Sequence, residues 1–321
     1  LAHLDIVHTR DFHLASHAVE RGLEVIYEDH NEPQNQSFLH ADRSCFFAPN
    51  FRLAVASTER VRDRLIRWGA PLAKTAVGHS GLNAASLQEV PEERQTAIRA
   101  EFLGQHCTHL LAYAGGLHSW RGIRHLRQFA QEHPHCAILV LGGSAPLSRQ
   151  LRKRAAREGL RNFHVLGYRP QQEVPLYLQA ADALLLPYRD PHEAFVTSPL
   201  KFFEYLASGR PIAAARLPEL APFARQPDLA IEWCGIDDYA GFAEAVERAL
   251  ATPAEALPTH CRRHRELAHG FVWEERQRAL CAAAGLPFLD RQATADEVDE
   301  APCAPFSHRR DAGRFSDAHS S

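Results

Sequence analysis

The sequence contains no methionine and only three lysines, Lys74, Lys153 and Lys201, so arginine carries nearly all of its positive charge. The net charge is −3 at pH 7, which gives no footing to nucleic-acid binding, because such binders present a strongly basic face. No apolar run approaches the ~18 residues a membrane-spanning helix needs. The seven cysteines are odd in number, widely spaced and without a C-x-x-C pair. They read as reduced thiols of a cytoplasmic protein rather than as a disulfide framework. No G-x-S-x-G, H-E-x-x-H or G-K-[ST] string occurs, which removes the common hydrolase, zincin and NTPase readings. His13 and His17, and Cys261 and His264, have helical spacing but no third ligand beside them, and His133–Cys136 reads as a loop, so no metal and no cofactor is expected. The chain opens with Leu1 and enters at once on the strand-like LDIVHTRD, so its natural beginning is expected to be missing.

What is present is an ordinary globular composition, 45% apolar and 23% charged over 321 residues. Single cores rarely grow past about 250 residues, so two are expected. Leu4–His8, Leu23–Tyr27 and Phe51–Ser57 read as strands, with helices after the first and third. The helix Thr58–Trp68 carries Arg60, Arg62, Arg64 and Arg67, a run that reads as a solvated face and is also a candidate for touching anionic lipid head groups. After a polar helical stretch, Gln88–Gln105, a second series begins. Its strand candidates are Leu110–Ala114, Ala137–Leu141, Phe163–Leu166, Ala183–Leu186, Ile212–Ala215 and Leu229–Ile231. Helices at Ile123–His133, Leu147–Glu158 and Tyr239–Leu250 lie between or after them, and two more, Thr259–His269 and Trp273–Ala284, close the folded part. Alternation of this kind predicts parallel sheets covered by helices on both faces. From about Asp290 the chain is polar and aperiodic, and disorder is expected.

The most informative stretch is Ala181–Ala215, ADALLLPYRDPHEAFVTSPLKFFEYLASGRPIAAA. It reads as a buried strand, a polar loop, a bounded helix and a second buried strand. Ser198 is suited to the N-cap, Pro199 to the first helical position and Gly209 to the residue past the end. Leu200, Phe203, Leu206 and Ala207 are expected to share an apolar arc, with Lys201, Glu204, Tyr205 and Ser208 opposite. Thr197, Ser198 and the first-turn amides would bind an anion, and Glu204 further along would meet a ribose. Elsewhere, Gly115 and Gly116 permit close backbone approach, Arg121 suits a phosphate, Gly143 ends the next strand, and Tyr168 or Arg169 could stack on a base.

TSPLKFFEYLASGRPIAA resembles the donor-binding segment of retaining GT-B glycosyltransferases. The resemblance runs from Asp5 to about Ala284 and is strongest from Tyr113 to Ala215. It implies an α/β fold of two Rossmann-like domains whose parallel sheets face a cleft, the first one incomplete. The implied divisions are 1–105 on the acceptor side, 106–270 binding the donor, 271–286 as a helix crossing back, and 287–321 as a tail. It implies that Glu204 holds the ribose of a nucleotide-diphosphate sugar and that His30 lies against the donor sugar; a solvated loop residue is the other reading of His30. Transfer would proceed with retention and without metal, to a carbohydrate or lipid-linked acceptor, with the enzyme cytoplasmic or peripheral to the inner membrane face. Catalysis would rest on stabilising the departing diphosphate by helix amides, Ser198 and Arg121. Two features depart from the pattern: the first of its paired glutamates is Val196 here, and one expected cation is Gly116. These departures keep open a non-catalytic homologue that binds nucleotide or a partner enzyme. A sugar-nucleotide epimerase is a further alternative.

Overall fold

Strand and helix alternate as the apolar runs predict, and the strands gather into two all-parallel sheets. The computed structural model describes residues 6–30, 43–190, 200–226 and 228–288. The first sheet has the order β1 (Ile6–Thr9), β2 (Glu24–Asp29), β3 (Phe51–Ala56), β4 (Thr75–Val77). The second contains β5 (His109–Ala114), β6 (Cys136–Leu141), β7 (Phe163–Gly167), β8 (Ala183–Leu186), β9 (Ile212–Ala215) and β10 (Ile231–Cys234), in the order β10-β9-β8-β5-β6-β7. That order winds outward in both directions from β5 and β8, the doubly wound arrangement whose ligand crevice lies at the carboxyl ends of the two strands where the winding reverses.

Helices α1 (Phe12–Glu20) and α2 (Glu59–Arg67) cover one face of the first sheet. There Phe12, Ala15, Val61 and Leu65 pack on Val25, Tyr27, Phe51 and Ala54. The opposite face takes Ile26, Leu53 and Val55, which meet Leu280 and Ala284 of the last helix, α10 (Trp273–Ala283). This alternation along β2 is the period-two signature of a strand covered on both sides. The second sheet is more deeply enclosed, with all six residues of β6 buried. Its helices are α3 (Glu92–Leu103), α4 (Ile123–Glu132), α5 (Ala145–Arg157), α6 (Val174–Ala180), α7 (Leu200–Ser208), α8 (Tyr239–Leu250) and α9 (Leu257–His269). Asp238 caps α8 by accepting from the Gly241 amide at 2.9 Å, which stabilises such an end by ~1 kcal/mol. Two crossings join the sheets and pair with each other: the Leu82 amide donates to the Phe271 carbonyl at 2.8 Å, and the Trp273 amide to the Leu82 carbonyl at 3.1 Å.

Several elements differ from the sequence reading. The strand expected at Leu229–Ile231 lies at Ile231–Cys234. The long helix expected over Gln88–Gln105 is held to Glu92–Leu103 because Pro91 precedes it. β4 and α6 were not foreseen, being three and seven residues long. Helix α7 does not divide into an apolar and a polar arc: Phe202 through Ser208 are all buried. Its end does fall at Gly209, with φ +75°, where an added Cβ would lie 2.3 Å from Cys261 Sγ. The arginine face of α2 is also incomplete. Arg64 is buried, donating to Asp29 at 2.6 Å and lying over the Trp68 ring at 4.8 Å. The tail expected from about Asp290 falls outside the described residues.

Candidate functional site

The crevice at the carboxyl ends of β5 and β8 is organised by one buried phenol. Tyr205 of α7 accepts from the Ala114 amide at 2.8 Å and donates to the Leu185 carbonyl at 3.2 Å. It thereby pins α7 to the last turn of both strands at which the winding reverses. The strand ends beside it approach backbone to backbone. An added Cβ on Gly142, φ +106°, would stand 2.3 Å from the Gly115 carbonyl oxygen. Gly142 is thus required by the Gly115 backbone, while an added Cβ on Gly115 would meet the Tyr113 hydroxyl at 2.7 Å. Gly116 presents its carbonyl to the Tyr113 hydroxyl at 2.6 Å, and Gly143 lies against Leu117. The Gly142 amide donates to the Gly167 carbonyl at 2.7 Å, which continues the edge to Tyr168, 75% exposed.

Glu204 is 5% exposed and fully engaged. Lys201 donates to Oε2 at 2.7 Å and Gln171, from the loop after β7, to Oε1 at 2.9 Å. The recess around the carboxylate, lined by Ser86, Gln171, Val174, Pro175, Leu178 and Ser208, is too small to admit a water. The expectation of a carboxylate open to the cleft is corrected here: a ligand must displace Lys201 or Gln171 to reach it. Leu200 begins α7 and is half-buried. Thr197, Ser198 and Pro199, with Val196, lie outside the described residues.

Arg121 ends a short 3-10 turn, Ser119–Arg121. Its guanidinium lies over Trp120 at 4.1 Å and Tyr188 at 5.2 Å, and donates to the Tyr188 hydroxyl at 2.5 Å. Its Nε is buried with no hydrogen-bond partner among the described residues. Burial pushes the Tyr188 phenol up, with Arg121 acting in the opposite direction. Arg169 donates to the Tyr177 hydroxyl at 3.3 Å rather than standing free beside Tyr168.

Across the crevice, the carboxyl ends of β1 and β2 carry a second polar cluster, of which the sequence places Glu28 and His30 at a strand end but not their partners His8 and Arg276. Glu28, 3% exposed, accepts from His8 Nε2 at 2.8 Å, from Arg276 Nη2 at 2.8 Å and from His30 Nε2. Burial alone would push the Glu28 carboxyl up; the His30 and His8 hydrogen bonds and the Arg276 charge outweigh it and hold the group well below the usual carboxylate range. Arg276, from α10, also donates to the His79 carbonyl at 2.6 Å and to that of Gly78 at 3.3 Å. The His79 ring, 5.9 Å from Phe203 of α7, carries the contact into the second half. Burial lowers the His79 pKa. A second link runs from the loop after β9 to the start of α2. Glu219 accepts from the Glu59 amide and the Thr58 hydroxyl, and burial raises its pKa. Nothing in the local sequence marks Gln171 or Arg276, because each acquires its role from a partner tens to hundreds of residues away. Among the described residues no cluster of His, Cys, Asp or Glu could hold a metal ion, and no helix is long and apolar enough to cross a membrane.

Comparison with known proteins agrees with this architecture. Residues 108–252 match the family described as glycosyl transferases group 1. The structure of HepE from Anabaena, solved with UDP-glucose, superposes with a TM-score of 0.66 over 88% of this chain and 79% of that one, at 16% identity. A glycosyltransferase from Rickettsia africae gives a TM-score of 0.71 over 87% and 76%, at 14% identity. The chain has the GT-B fold of these structures, and its second half is similar to group 1 glycosyl transferases. A sequence relative is TuaH of Bacillus subtilis (strain 168), a glycosyltransferase assigned to teichuronic acid biosynthesis, 25% identical over 155 residues. That match takes in 48% of this chain and 38% of TuaH.

Proposed function

We propose that this chain transfers a sugar from a nucleotide-diphosphate sugar, bound along the carboxyl edge of the second sheet, to a carbohydrate or lipid-linked acceptor on the side of the first. The observation that carries the reading is the Tyr205 hydroxyl joining α7 to the ends of β5 and β8. It sets Glu204 and Lys201 beside the crevice where this strand order binds ligands. The HepE complex with UDP-glucose supports a nucleotide-sugar as donor. Glu204 holds the ribose, Tyr168 offers its exposed ring to the base, and Lys201 and Arg121 balance the diphosphate charge as the sugar departs. From their sequence alone, Thr197, Ser198 and Pro199 are assigned with Leu200 to donor binding. His30, held by Glu28, meets the sugar from the first sheet. Reaction proceeds with retention and without metal, the donor phosphate taking the acceptor proton.

Calorimetry with UDP-glucose, the guanosine analogue and the free diphosphates tests this. Glu204→Ala is expected to weaken donor binding by about 1.5–3 kcal/mol, the range for hydrogen bonds to a charged group. Donor affinity unchanged by the substitution removes Glu204 from the site.

A non-catalytic homologue is the second reading. It is favoured by the closed recess around Glu204 and by the engagement of Arg121 on Trp120 and Tyr188. Donor binding with no donor turnover in the presence of acceptor extracts selects it. We further propose a cytoplasmic enzyme that touches the inner membrane face through its first half. Phe47 and Leu72, 68% and 69% exposed, are supported from beneath by Lys74, which donates to the Ala48 carbonyl at 2.7 Å. Sedimentation with anionic vesicles, lost in Phe47→Ser with Leu72→Ser, is the corresponding test.

A further inference from the structure

Behind α7, at the amino end of β9 and so on the opposite edge of the sheet from the donor crevice, lies a cavity of about 230 Å³. At ~30 Å³ per water it has room for about seven. Two guanidinium groups, Arg210 and Arg265, line it together with Gln95, Gln179, Gly209 and Cys261. Arg210 donates to a neutral acceptor, Gln95 Oε1, at 2.7 Å. Among the described residues it has no ion pair.

The nearby acids leave Arg210 without an ionic partner: Asp182 is taken by Arg99, and Glu89 pairs with Arg265. Asp182 is held in bidentate fashion by Arg99 at 2.8 and 3.2 Å and also accepts from the Leu110 amide. Glu89 meets Arg265 Nη1 from an exposed rim position. Arg265 Nη2 reaches Gln179 Oε1 at 3.5 Å, and its Nε is buried with no partner among the described residues. A guanidinium cannot shed its proton to escape such a site. Burial first, then the Arg99 and Arg265 charges, press the Arg210 pKa down, and Cys261 and Asp182 compensate only in part. A half-desolvated cation is stable when paired, and a guanidinium fork pairs best with a planar or tetrahedral oxyanion.

We propose that this cavity is a binding site for a small phosphate-bearing anion, free phosphate or a phosphomonoester, separate from the donor site. The anion bridges Arg210 and Arg265. Ser208 lines both this cavity and the recess of Glu204, so an occupant sits one helical turn from the donor carboxylate.

The test uses the whole chain, inorganic phosphate and glycerol 3-phosphate, with chloride at equal ionic strength as control. Phosphate is expected to raise the thermal midpoint where chloride does not, and equilibrium dialysis should give one site. Arg210→Gln should weaken that binding by about tenfold or more, the loss of a charge-assisted pair, and Arg265→Gln does likewise should the first variant fold poorly. Arg121→Ala, altered at the donor side, should leave it unchanged. This pattern holds whether or not the donor reading is right. Equal binding of glycerol 3-phosphate assigns the phosphate group of an ester, and its exclusion assigns the free ion. No phosphate effect beyond chloride, or an effect that survives Arg210→Gln and disappears in Arg121→Ala, overturns the proposal and leaves these arginines a purely structural role at the α7 terminus.

Discussion

Glu28→Gln probes the link between the first sheet and the last helix while keeping the side chain's size. In the native protein the carboxylate answers Arg276, whose side chain is 5% exposed, and two imidazoles. Removing one partner of a buried pair costs about 3–5 kcal/mol, because the other charge stays buried. Arg276 retains the His79 and Gly78 carbonyls, and the glutamine oxygen can still accept one bond, so the low end, about 3 kcal/mol, is expected. With a urea m-value near 3 kcal/mol/M, the unfolding midpoint should fall by ~1 M at pH 7. The pH dependence carries a sign. Glu28 ionises more readily folded than unfolded, so its contribution is complete above the unfolded value of ~4.3 and is lost as pH falls through the depressed native value. The gap between wild type and Glu28→Gln should therefore be constant from pH 5 to 7 and shrink steadily below about pH 4. A double-mutant cycle with Arg276→Met should return a coupling within the ~0.5–3 kcal/mol seen for contacting residues. A midpoint unmoved at pH 7, or a gap that is the same at pH 3 as at pH 7, would refute the argument.

Three further outcomes follow from the donor side. Tyr205→Phe leaves the Ala114 amide and Leu185 carbonyl without their buried partner and should cost about 1–3 kcal/mol of stability, with donor affinity falling as well; stability unchanged in denaturant titration would mean α7 is held without the phenol. Gly142→Ala should cost about 1–3 kcal/mol through overlap with the Gly115 carbonyl beyond its backbone strain, whereas Gly159→Ala, also at positive φ but facing open space, should show the ~1–2 kcal/mol of strain alone. Arg121→Ala should weaken the nucleoside diphosphate and the intact donor while sparing the nucleoside, and equal losses for all three in calorimetry would point to general damage from the lost Trp120 and Tyr188 packing.

The βα series was legible because its signal is local. Apolar runs such as Leu184–Leu186 can only be strands covered on both faces, and Asp238 and Gly209 mark helix ends by their own chemistry. Local signal fails where partners are distant. Arg64 reads as one more solvated arginine until Asp29 is brought beside it. The polar residues of α7 read as an exposed arc, yet Tyr205 and Ser208 are buried with backbone acceptors of their own. Gly115 and Gly116 read as room for a ligand's close approach, yet their nearest neighbours are the Tyr113 and His118 side chains, which sequence spacing cannot reveal.

The same distinction bears on how the two sheets are held across the crevice. The chain crosses between them at Gly78–Leu82 and again at Phe271–Trp273, and the crossings pair as a single short bridge at Leu82 and Val272. Such a bridge sets a pivot but opposes little rotation, so the width of the crevice depends on contacts further out. There are few of these, and they differ in kind. Phe203 stacks on Phe271 with ring centroids 4.0 Å apart, close to the pivot. Glu28 and Arg276 tie the last helix to the first sheet. Glu219 reaches the α2 terminus from the far lip. Glu219 alone among them joins the two lips of the crevice directly, and it does so with a carboxyl that burial drives toward its neutral form. Burial and the Glu59 carboxylate raise the Glu219 pKa, while the hydrogen bonds it accepts from the Glu59 amide and Thr58 favour the ionised form and oppose that rise. The Arg276-centred contacts carry a desolvation cost at Glu28 as well, which its His8, His30 and Arg276 partners outweigh. The pivot end of the crevice is thus held by paired charge and stacked rings, and the far lip by a carboxyl whose partners do not fully offset its burial.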